Sequence, residues 1–192
     1  MAEPAPETSP ESIASALLRA LGGAPAHILD IGAGDCRIAG MLAAAGHRVT
    51  AVDQMPVRTC PPNVTFIRTD IRTPVSSWQP QMPVDALFCR HVLHYFTLDW
   101  ARDHLLAPFL AAPGSLPVIA LEAFSCCPDP PFSTRFPSYW QGQHFQALFP
   151  QTHTSRCWEA TFEGVDADGF DRTFRTSRCI AQPCVANLSA NQ

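Results

Sequence analysis

Two aspartates lie where short apolar runs end, and a glycine-containing turn follows the first of them. Asp30 closes the run that begins at Ala26 and precedes Gly32-Ala33-Gly34, while Asp53 closes the next apolar run. Glycine lets a turn bend sharply and lets a ligand approach the backbone closely. A carboxylate at the end of the second strand can accept hydrogen bonds from both hydroxyls of a ribose. The spacing therefore predicts a site for a cofactor that contains a nucleoside.

Two known phosphate-binding patterns are disfavoured because the chain lacks residues that they need. A dinucleotide fingerprint needs a third glycine three places after the second, where this chain has Arg37. A P-loop needs a Gly-Lys pair, and the chain contains no lysine. Asp30 also suits a cationic ligand better than a pyrophosphate. A nicotinamide enzyme is therefore the weaker interpretation.

The segment from Asp30 to Cys36 resembles the first motif of the class I S-adenosylmethionine-dependent methyltransferases, acid-x-Gly-x-Gly-x-Gly. Cys36 stands where the family has its third glycine, and we expect this small residue to open the helix without blocking the site. The resemblance covers roughly residues 26–121 by motif and the C-terminal region by pattern. It implies S-adenosyl-L-methionine as the cofactor.

The resemblance also implies a role for each residue at the strand ends. Gly32, Ala33 and Gly34 would face the methionine part of the cofactor. Its ammonium group would be near Asp30 and the backbone of Cys89 and Arg90. Asp53 would hold the ribose. Gln54 or Met55 would flank one side of the adenine, and Ile71 would lie against its other side. Asp70 would accept a hydrogen bond from the exocyclic amine of the adenine.

His91 directly follows the predicted fourth strand and is the candidate catalytic residue, since histidine can act as a base near neutral pH. Glu122 is a second candidate, with a solvated loop acid as its alternative, and His94 is expected to pack or cap. Four further side chains either line an acceptor pocket or pack in the core: Tyr139, Trp140, His144 and Phe145. The chain lacks an Asn-Pro-Pro-aromatic sequence after the fourth strand, which favours a small-molecule acceptor.

Eight cysteines show no Cys-x-x-Cys spacing, so no metal site is predicted. The adjacent Cys126 and Cys127 leave open a role in binding a thiophilic metalloid such as tellurium or arsenic, because soft thiolates suit such elements. A weaker likeness to compact tellurite-resistance methyltransferases keeps this alternative open. Two thiols without a function are the simpler interpretation.

Apolar and polar periodicity predicts strands that alternate with helices, followed by two long strands. This pattern is typical of a three-layer, doubly wound α/β sheet of parallel strands, here completed by a C-terminal antiparallel hairpin. The predicted strands span 26–31, 48–52, 64–68, 84–89, 116–121, 154–164 and 170–181. The first predicted helix begins near Ser9, and the other predicted helices cover 36–45, 98–110 and 142–149.

Composition describes a globular chain, with 46% hydrophobic and 16% charged residues. The net charge of −4 and the scattered arginines argue against nucleic acid as a partner. No apolar stretch has the length of a membrane span. We expect residues 1–9 to form a flexible tail without signal-peptide features, residues 10–192 to form one methyltransferase domain, and the protein to be cytoplasmic.

Three interpretations follow. The first is an enzyme that transfers the methyl group of S-adenosylmethionine to a small molecule. The second is a non-catalytic protein that keeps the fold and binds the cofactor as a regulator. The third is a metalloid methyltransferase. The oligomeric state stays open.

Overall fold

Seven strands form one mixed sheet with helices on both faces. The computed structural model describes residues 12–78, 80, 83–111, 116–126, 138–149, 153–165 and 171–184. The strands are β1 (His27–Ile31), β2 (Arg48–Asp53), β3 (Val64–Arg68), β4 (Ala86–Arg90), β5 (Val118–Phe124), β6 (His153–Val165) and β7 (Asp171–Pro183). The helices are α1 (Ser12–Ala20), α2 (Arg37–Ala44), α3, which runs continuously through Leu98–Trp100, Ala101–Leu106 and Ala107–Leu110, and α4 (Gly142–Leu148).

The strand order is β3-β2-β1-β4-β5-β7-β6. Strands β1 to β5 pair in parallel, whereas β7 pairs antiparallel with both β5 and β6. The predicted parallel sheet with an antiparallel C-terminal pair is confirmed. The order reverses between β1 and β4, and in open α/β sheets ligands bind beyond the strand ends at such a reversal.

The sheet is covered because its central strands are apolar on both sides. Every residue of β1 is buried. One face packs against α1 and α2 through residues such as Leu17, Ile28 and Leu42, and the other packs against α3 and α4 through residues such as Leu29 and Phe145. Two buried faces fix the register of each strand, so the carboxyl ends of β1, β2 and β4 are held at one edge.

The predicted strands differ from the observed ones most clearly at β5. This strand continues to Phe124, so Glu122 lies inside it with no exposed surface. The alternative of a solvated loop acid is therefore wrong. The predicted start of the first helix at Ser9 and the turn between β6 and β7 lie outside the described residues. Within the described part of the chain, no helix is long and apolar enough to cross a membrane.

Candidate functional site

The turn after β1 is held against β2 by its backbone. The amides of Gly32 and Ala33 both donate to the carbonyl of Val52, at 2.7 and 3.1 Å. Gly32 has a φ of 75°, and a Cβ built there would lie 2.1 Å from a methyl carbon of Val92. Gly34 has a φ of 57°, but a Cβ there would meet nothing within 4 Å. Position 32 therefore needs glycine for packing, while position 34 faces open space.

Asp53 ties this turn to the loop that follows β2. One carboxylate oxygen accepts from the amide of Gly34 at 2.9 Å, and the other accepts from the amide of Met55 at 2.8 Å. Each oxygen of an ionised carboxylate offers about two acceptor positions. The carboxylate can therefore order both loops and still accept hydrogen bonds from a ligand.

Asp30 is a buried acid without a hydrogen-bond donor for its Oδ2 atom. Its residue exposure is 2%. Burial and the nearby charge of Asp53 raise the pKa of Asp30 to about 7, although Arg90 opposes the shift. An unpaired buried carboxylate costs free energy, because water has been removed and nothing replaces it. A cationic group reaching this oxygen would offset that cost.

Asp70 follows β3 and binds Arg72 through its side chain. The Nε atom of Arg72 lies 3.0 and 2.9 Å from the two carboxylate oxygens, and its backbone amide also donates to Asp70. These hydrogen bonds lower the pKa of Asp70, so the carboxyl is ionised at neutral pH. The side chain remains 36% exposed and faces the same cavity as Asp53.

On the other side of the sheet reversal, His91 lies above a buried charge network centred on Glu122. Glu122 accepts from the Nε atoms of Arg90 and Arg178, each at 3.0 Å, and from the Thr176 hydroxyl at 3.1 Å. Burial alone would raise the pKa of Glu122, but His91 and the two arginines lower it to about 2. Glu122 is therefore ionised and paired.

His91 has a φ of 56° and donates its amide to the carbonyl of Glu122 at 2.8 Å. Its imidazole stacks on Phe124 with a centroid distance of 4.8 Å. Burial lowers the pKa of His91 despite the neighbouring Glu122, so the ring is neutral at pH 7. His94 is packed rather than exposed, and burial lowers its pKa to about 3.

A cavity of about 820 Å³ joins the two sides. Nine of the residues singled out from the sequence line it: Gly32, Gly34, Asp53, Gln54, Met55, Asp70, Ile71, Arg90 and His91. Asp30, Ala33 and Cys89 do not line it; Asp30 and Cys89 are buried at the adjoining strand ends. The roles of these residues stay predictions.

Six lining residues were not singled out from the sequence: Arg72, Val92, Tyr95, Phe96, Thr97 and Trp100. All but Arg72 belong to the segment between β4 and the first turn of α3. The aromatic sequence His94-Tyr95-Phe96 was the available signal, and its position directly after a strand end could have marked it.

The aromatic residues considered earlier for the acceptor pocket lie elsewhere. Trp140 and Phe145 are buried in the core, and the indole nitrogen of Trp140 donates to the carbonyl of Leu93 at 2.9 Å. His144 caps α4 by accepting from the amide of Gln141. Neither these three nor Tyr139 lines the cavity, and the core-packing alternative is the better one for Trp140 and Phe145.

The vicinal thiols are only partly described. Cys126 is half-buried and does not line the cavity, and Cys127 lies outside the described residues. Among the described residues, no group of three His, Cys, Asp or Glu side chains is arranged to hold a metal ion.

The sequence matches no protein-family model and no curated protein. Solved structures do share its fold. An S-adenosylmethionine-dependent methyltransferase from Anabaena variabilis has a TM-score of 0.63 at 12% identity, with 92% of this chain and 86% of that chain covered. TehB from Haemophilus influenzae has a TM-score of 0.61 at 13% identity, covering 90% of this chain and 62% of that chain.

A third structure is the Burkholderia thailandensis 1,6-didemethyltoxoflavin-N1-methyltransferase, with bound 1,6-didemethyltoxoflavin and S-adenosylhomocysteine. Its TM-score is 0.53 at 19% identity, with 90% of this chain and 79% of that chain covered. These similarities establish that the chain has the class I methyltransferase fold. The expectation drawn from the glycine turn and its acids is thereby confirmed for the fold.

Proposed function

We propose that this protein binds S-adenosylmethionine and transfers its methyl group to a small molecule. The observation that carries the proposal is the pair of acids at the sheet reversal: Asp30, buried with an unpaired oxygen, and Asp53, which faces the cavity. The cofactor carries an ammonium group on its amino-acid part and two hydroxyls on its ribose, so these two parts match the two acids. Gly34 leaves room between them, since a Cβ there would meet nothing within 4 Å.

Each part of the chain would hold a different part of the cofactor. Asp30 and the backbone of Cys89 and Arg90 would bind the ammonium group, and Asp53 would accept from the ribose hydroxyls. The two sides of the adenine would lie against Met55 or Gln54 and against Ile71. Asp70 keeps acceptor capacity beside its pair with Arg72, and would accept from the exocyclic amine.

The chemistry required of the protein is mainly positioning. When bound, S-adenosylmethionine supplies a methyl group that its sulfonium already activates. Holding an acceptor atom in line with that methyl group turns a bimolecular encounter into an intramolecular one, which accounts for much of the achievable rate increase. His91 lies at the cavity, where its neutral imidazole can receive a proton from the acceptor.

The size of the cavity supports a small acceptor. Pockets for drug-sized ligands span about 300–1,000 Å³, and this cavity of about 820 Å³ falls within that range. The Burkholderia enzyme with the same fold has 1,6-didemethyltoxoflavin and S-adenosylhomocysteine bound. A small acceptor sharing the cavity with the cofactor is therefore the preferred partner.

Calorimetry with S-adenosylmethionine and S-adenosylhomocysteine tests the proposal. Asp53→Ala should weaken binding by about 1–3 kcal/mol, since hydrogen bonds to a charged group are lost. Asp99→Ala is the matched control, because Asp99 is an exposed acid on α3 that does not line the cavity. The absence of binding to either compound by the folded parent protein would refute the cofactor assignment.

Two alternatives remain distinguishable by product. Cofactor binding without formation of S-adenosylhomocysteine across a broad acceptor panel would favour the non-catalytic regulator. Methylation of tellurite or arsenite that is lost in Cys126→Ser would favour the metalloid enzyme.

A further inference from the structure

The part of the cavity away from Asp53 has a flat aromatic wall. Phe96 and Trp100 stack with their ring centroids 4.0 Å apart and their planes 15° apart, and Trp100 continues onto His104 at 5.6 Å and 8°. The stack fixes the plane of Trp100. Aromatic rings bind other flat rings well, because offset-stacked and edge-to-face contacts add to the burial of apolar area.

The exposed apolar side chains concentrate at the same cavity. Among the described residues, the exposed large hydrophobic side chains are Met55 at 62% and Tyr95 at 52%, and both line this cavity. Met55 lies on the side assigned to the cofactor, whereas Tyr95 follows β4 beside His91. Exposed apolar surface at the mouth of one cavity is typical of a binding site for an apolar ligand.

His91 lines the same cavity as this aromatic wall, and its backbone conformation is costly. A non-glycine residue at φ 56° is disfavoured, and such strain is found where a side chain must be aimed for function. The ring stacks with Phe124 at 4.8 Å and with Phe162 at 6.0 Å, with interplanar angles of 17° and 18°. The imidazole therefore has a fixed plane.

The orientation of the ring selects which nitrogen can act. Nε2 is buried without a hydrogen-bond partner, and the ionised oxygen Oε1 of Glu122 lies 3.6 Å from it. The ionised Glu122 favours the tautomer with its proton on Nε2, because that proton then points towards the carboxylate. Nδ1 then carries the lone pair, in a residue that lines the cavity. Glu122 itself is fixed by Arg90 and Arg178, so it acts as a positioning residue.

We propose that the acceptor is a flat aromatic molecule with an ionisable O–H or ring N–H, and that Nδ1 of His91 removes this proton. The proposal rests on the proposed function. The acceptor heteroatom loses its proton to Nδ1 and bonds to the methyl carbon, while the methyl–sulfur bond breaks and its electron pair stays on sulfur. Aromatic conjugation makes such O–H and N–H groups more acidic than those of saturated alcohols and amines, so a neutral imidazole can take the proton while the methyl group is transferred.

The experiment measures formation of S-adenosylhomocysteine from S-adenosylmethionine with matched acceptors. The panel contains phenols and N–H heteroaromatics of one to three rings, with 2-naphthol and benzimidazole as references, against decahydro-2-naphthol, cyclohexylamine and potassium tellurite. We expect turnover of flat members and none of the saturated ones. Cofactor binding by the parent protein is measured first, so that failure of the proposed function is seen separately.

Two variants test the roles. His91→Asn should lower kcat by at least about 100-fold and leave cofactor affinity within about twofold, whereas His144→Asn, at a histidine outside the cavity, should leave kcat unchanged. Trp100→Leu should raise KM for the flat acceptors by about three- to tenfold with less effect on kcat. In the parent enzyme, kcat should rise with pH along a single limb below pH 6.5, as His91 loses its proton. The charged and titratable groups around His91 are Glu122, Arg90, Arg178 and His94.

Cofactor binding with turnover of the saturated acceptors or tellurite alone would overturn the proposal. Cofactor binding with no turnover of any panel member would also count against it. Undiminished kcat in His91→Asn would overturn the role of His91 as the base. An unchanged KM in Trp100→Leu would overturn the role of the aromatic wall in binding the acceptor.

Discussion

Replacing Asp30 with asparagine removes the charge of the buried acid while keeping the shape of its side chain. Asp30 is 2% exposed, its Oδ2 has no donor, and its pKa is raised to about 7. We predict that Asp30→Asn stabilises the ligand-free protein at pH 8 and at the same time weakens its binding of S-adenosylmethionine. The two effects have opposite signs because the charge is costly in the empty site and useful in the filled one.

The size of the stability effect follows from the two pKa values. The carboxyl titrates at about 7 in the folded state and at 3.8 in the unfolded state, so the folded state binds more protons between these pH values. The cost of the charge therefore begins to grow above pH 3.8 and is complete above pH 7. One pKa unit corresponds to about 1.4 kcal/mol, which gives a total of about 4 kcal/mol.

Urea denaturation of the parent and Asp30→Asn proteins at pH 5, 6, 7 and 8 measures this cost. The advantage of the asparagine variant should widen by about 1.4 kcal/mol per pH unit from pH 5 to 7 and then level off. Asp99→Asn is the control, since Asp99 lies on the surface with a 79% exposed side chain. This variant should follow the parent protein at every pH.

Cofactor affinity should show the same titration with the opposite consequence. If the ammonium group needs an ionised Asp30, the affinity of the parent protein falls about tenfold for each pH unit below 7 and is constant above pH 8. Asp30→Asn should lose this dependence and bind about 10- to 100-fold more weakly at pH 8, because a charge-assisted hydrogen bond is missing. A stability difference independent of pH, or a pH-dependent affinity retained in the variant, would refute the reasoning.

Five further variants test the charge network and the glycine turn. Glu122→Gln should lower the free energy of unfolding by about 3–5 kcal/mol, because the arginines that pair with Glu122 lose their counter-charge. Thr176→Val should lower it by about 1 kcal/mol. Urea denaturation at pH 7 measures both losses, and equal losses would contradict the charge network. Gly32→Ala should destabilise the fold by about 1–3 kcal/mol through its clash with Val92, and Val92→Ala should recover part of that loss. Gly34→Ala should lower stability by about 1–2 kcal/mol because of the positive φ alone. Unlike Gly32→Ala, it should act mainly on cofactor affinity, which calorimetry measures.

The cofactor side of the cavity could be predicted because its determinants are local. Gly32, Gly34 and Asp53 are set by a strand, a turn and the next strand, and their positions in the sequence determine their positions at the sheet edge. The strand boundaries deviate by a few residues without moving these side chains away from the cavity. Parallel strands make this possible, because their carboxyl ends meet at the same edge.

The burial of Glu122 could not be predicted in the same way. A charged residue after an apolar run indicates the end of a strand, and the predicted β5 therefore stopped at Leu121. The structure extends the strand because Glu122 pairs in register with Arg178 of β7, a residue 56 positions later in the chain. The antiparallel insertion of β7 beside β5 adds this fully buried counter-charge to that of Arg90, and the two arginines together let the acid be buried.

The choice between aromatic segments depended on the same long-range packing. The segment 94–100 and the segment 139–145 are both rich in aromatic residues, and nothing in their composition distinguishes a cavity wall from a core. The indole nitrogen of Trp140 reaches the carbonyl of Leu93, so the second segment packs beneath the turn that presents Tyr95. Trp140 thus supports the wall instead of forming it.

This arrangement divides the cavity by the kind of structure that forms it. The cofactor side is made of backbone turns and strand-end acids, whereas the other side is made of side chains from the segment between β4 and α3. Backbone turns tolerate few substitutions, since a Cβ at Gly32 already meets Val92. Trp100 and Tyr95 line the other side of the cavity, so their replacement should change which acceptor is bound and leave cofactor affinity intact. A change in cofactor affinity in Trp100→Leu as large as its change in acceptor KM would show that the two halves are coupled.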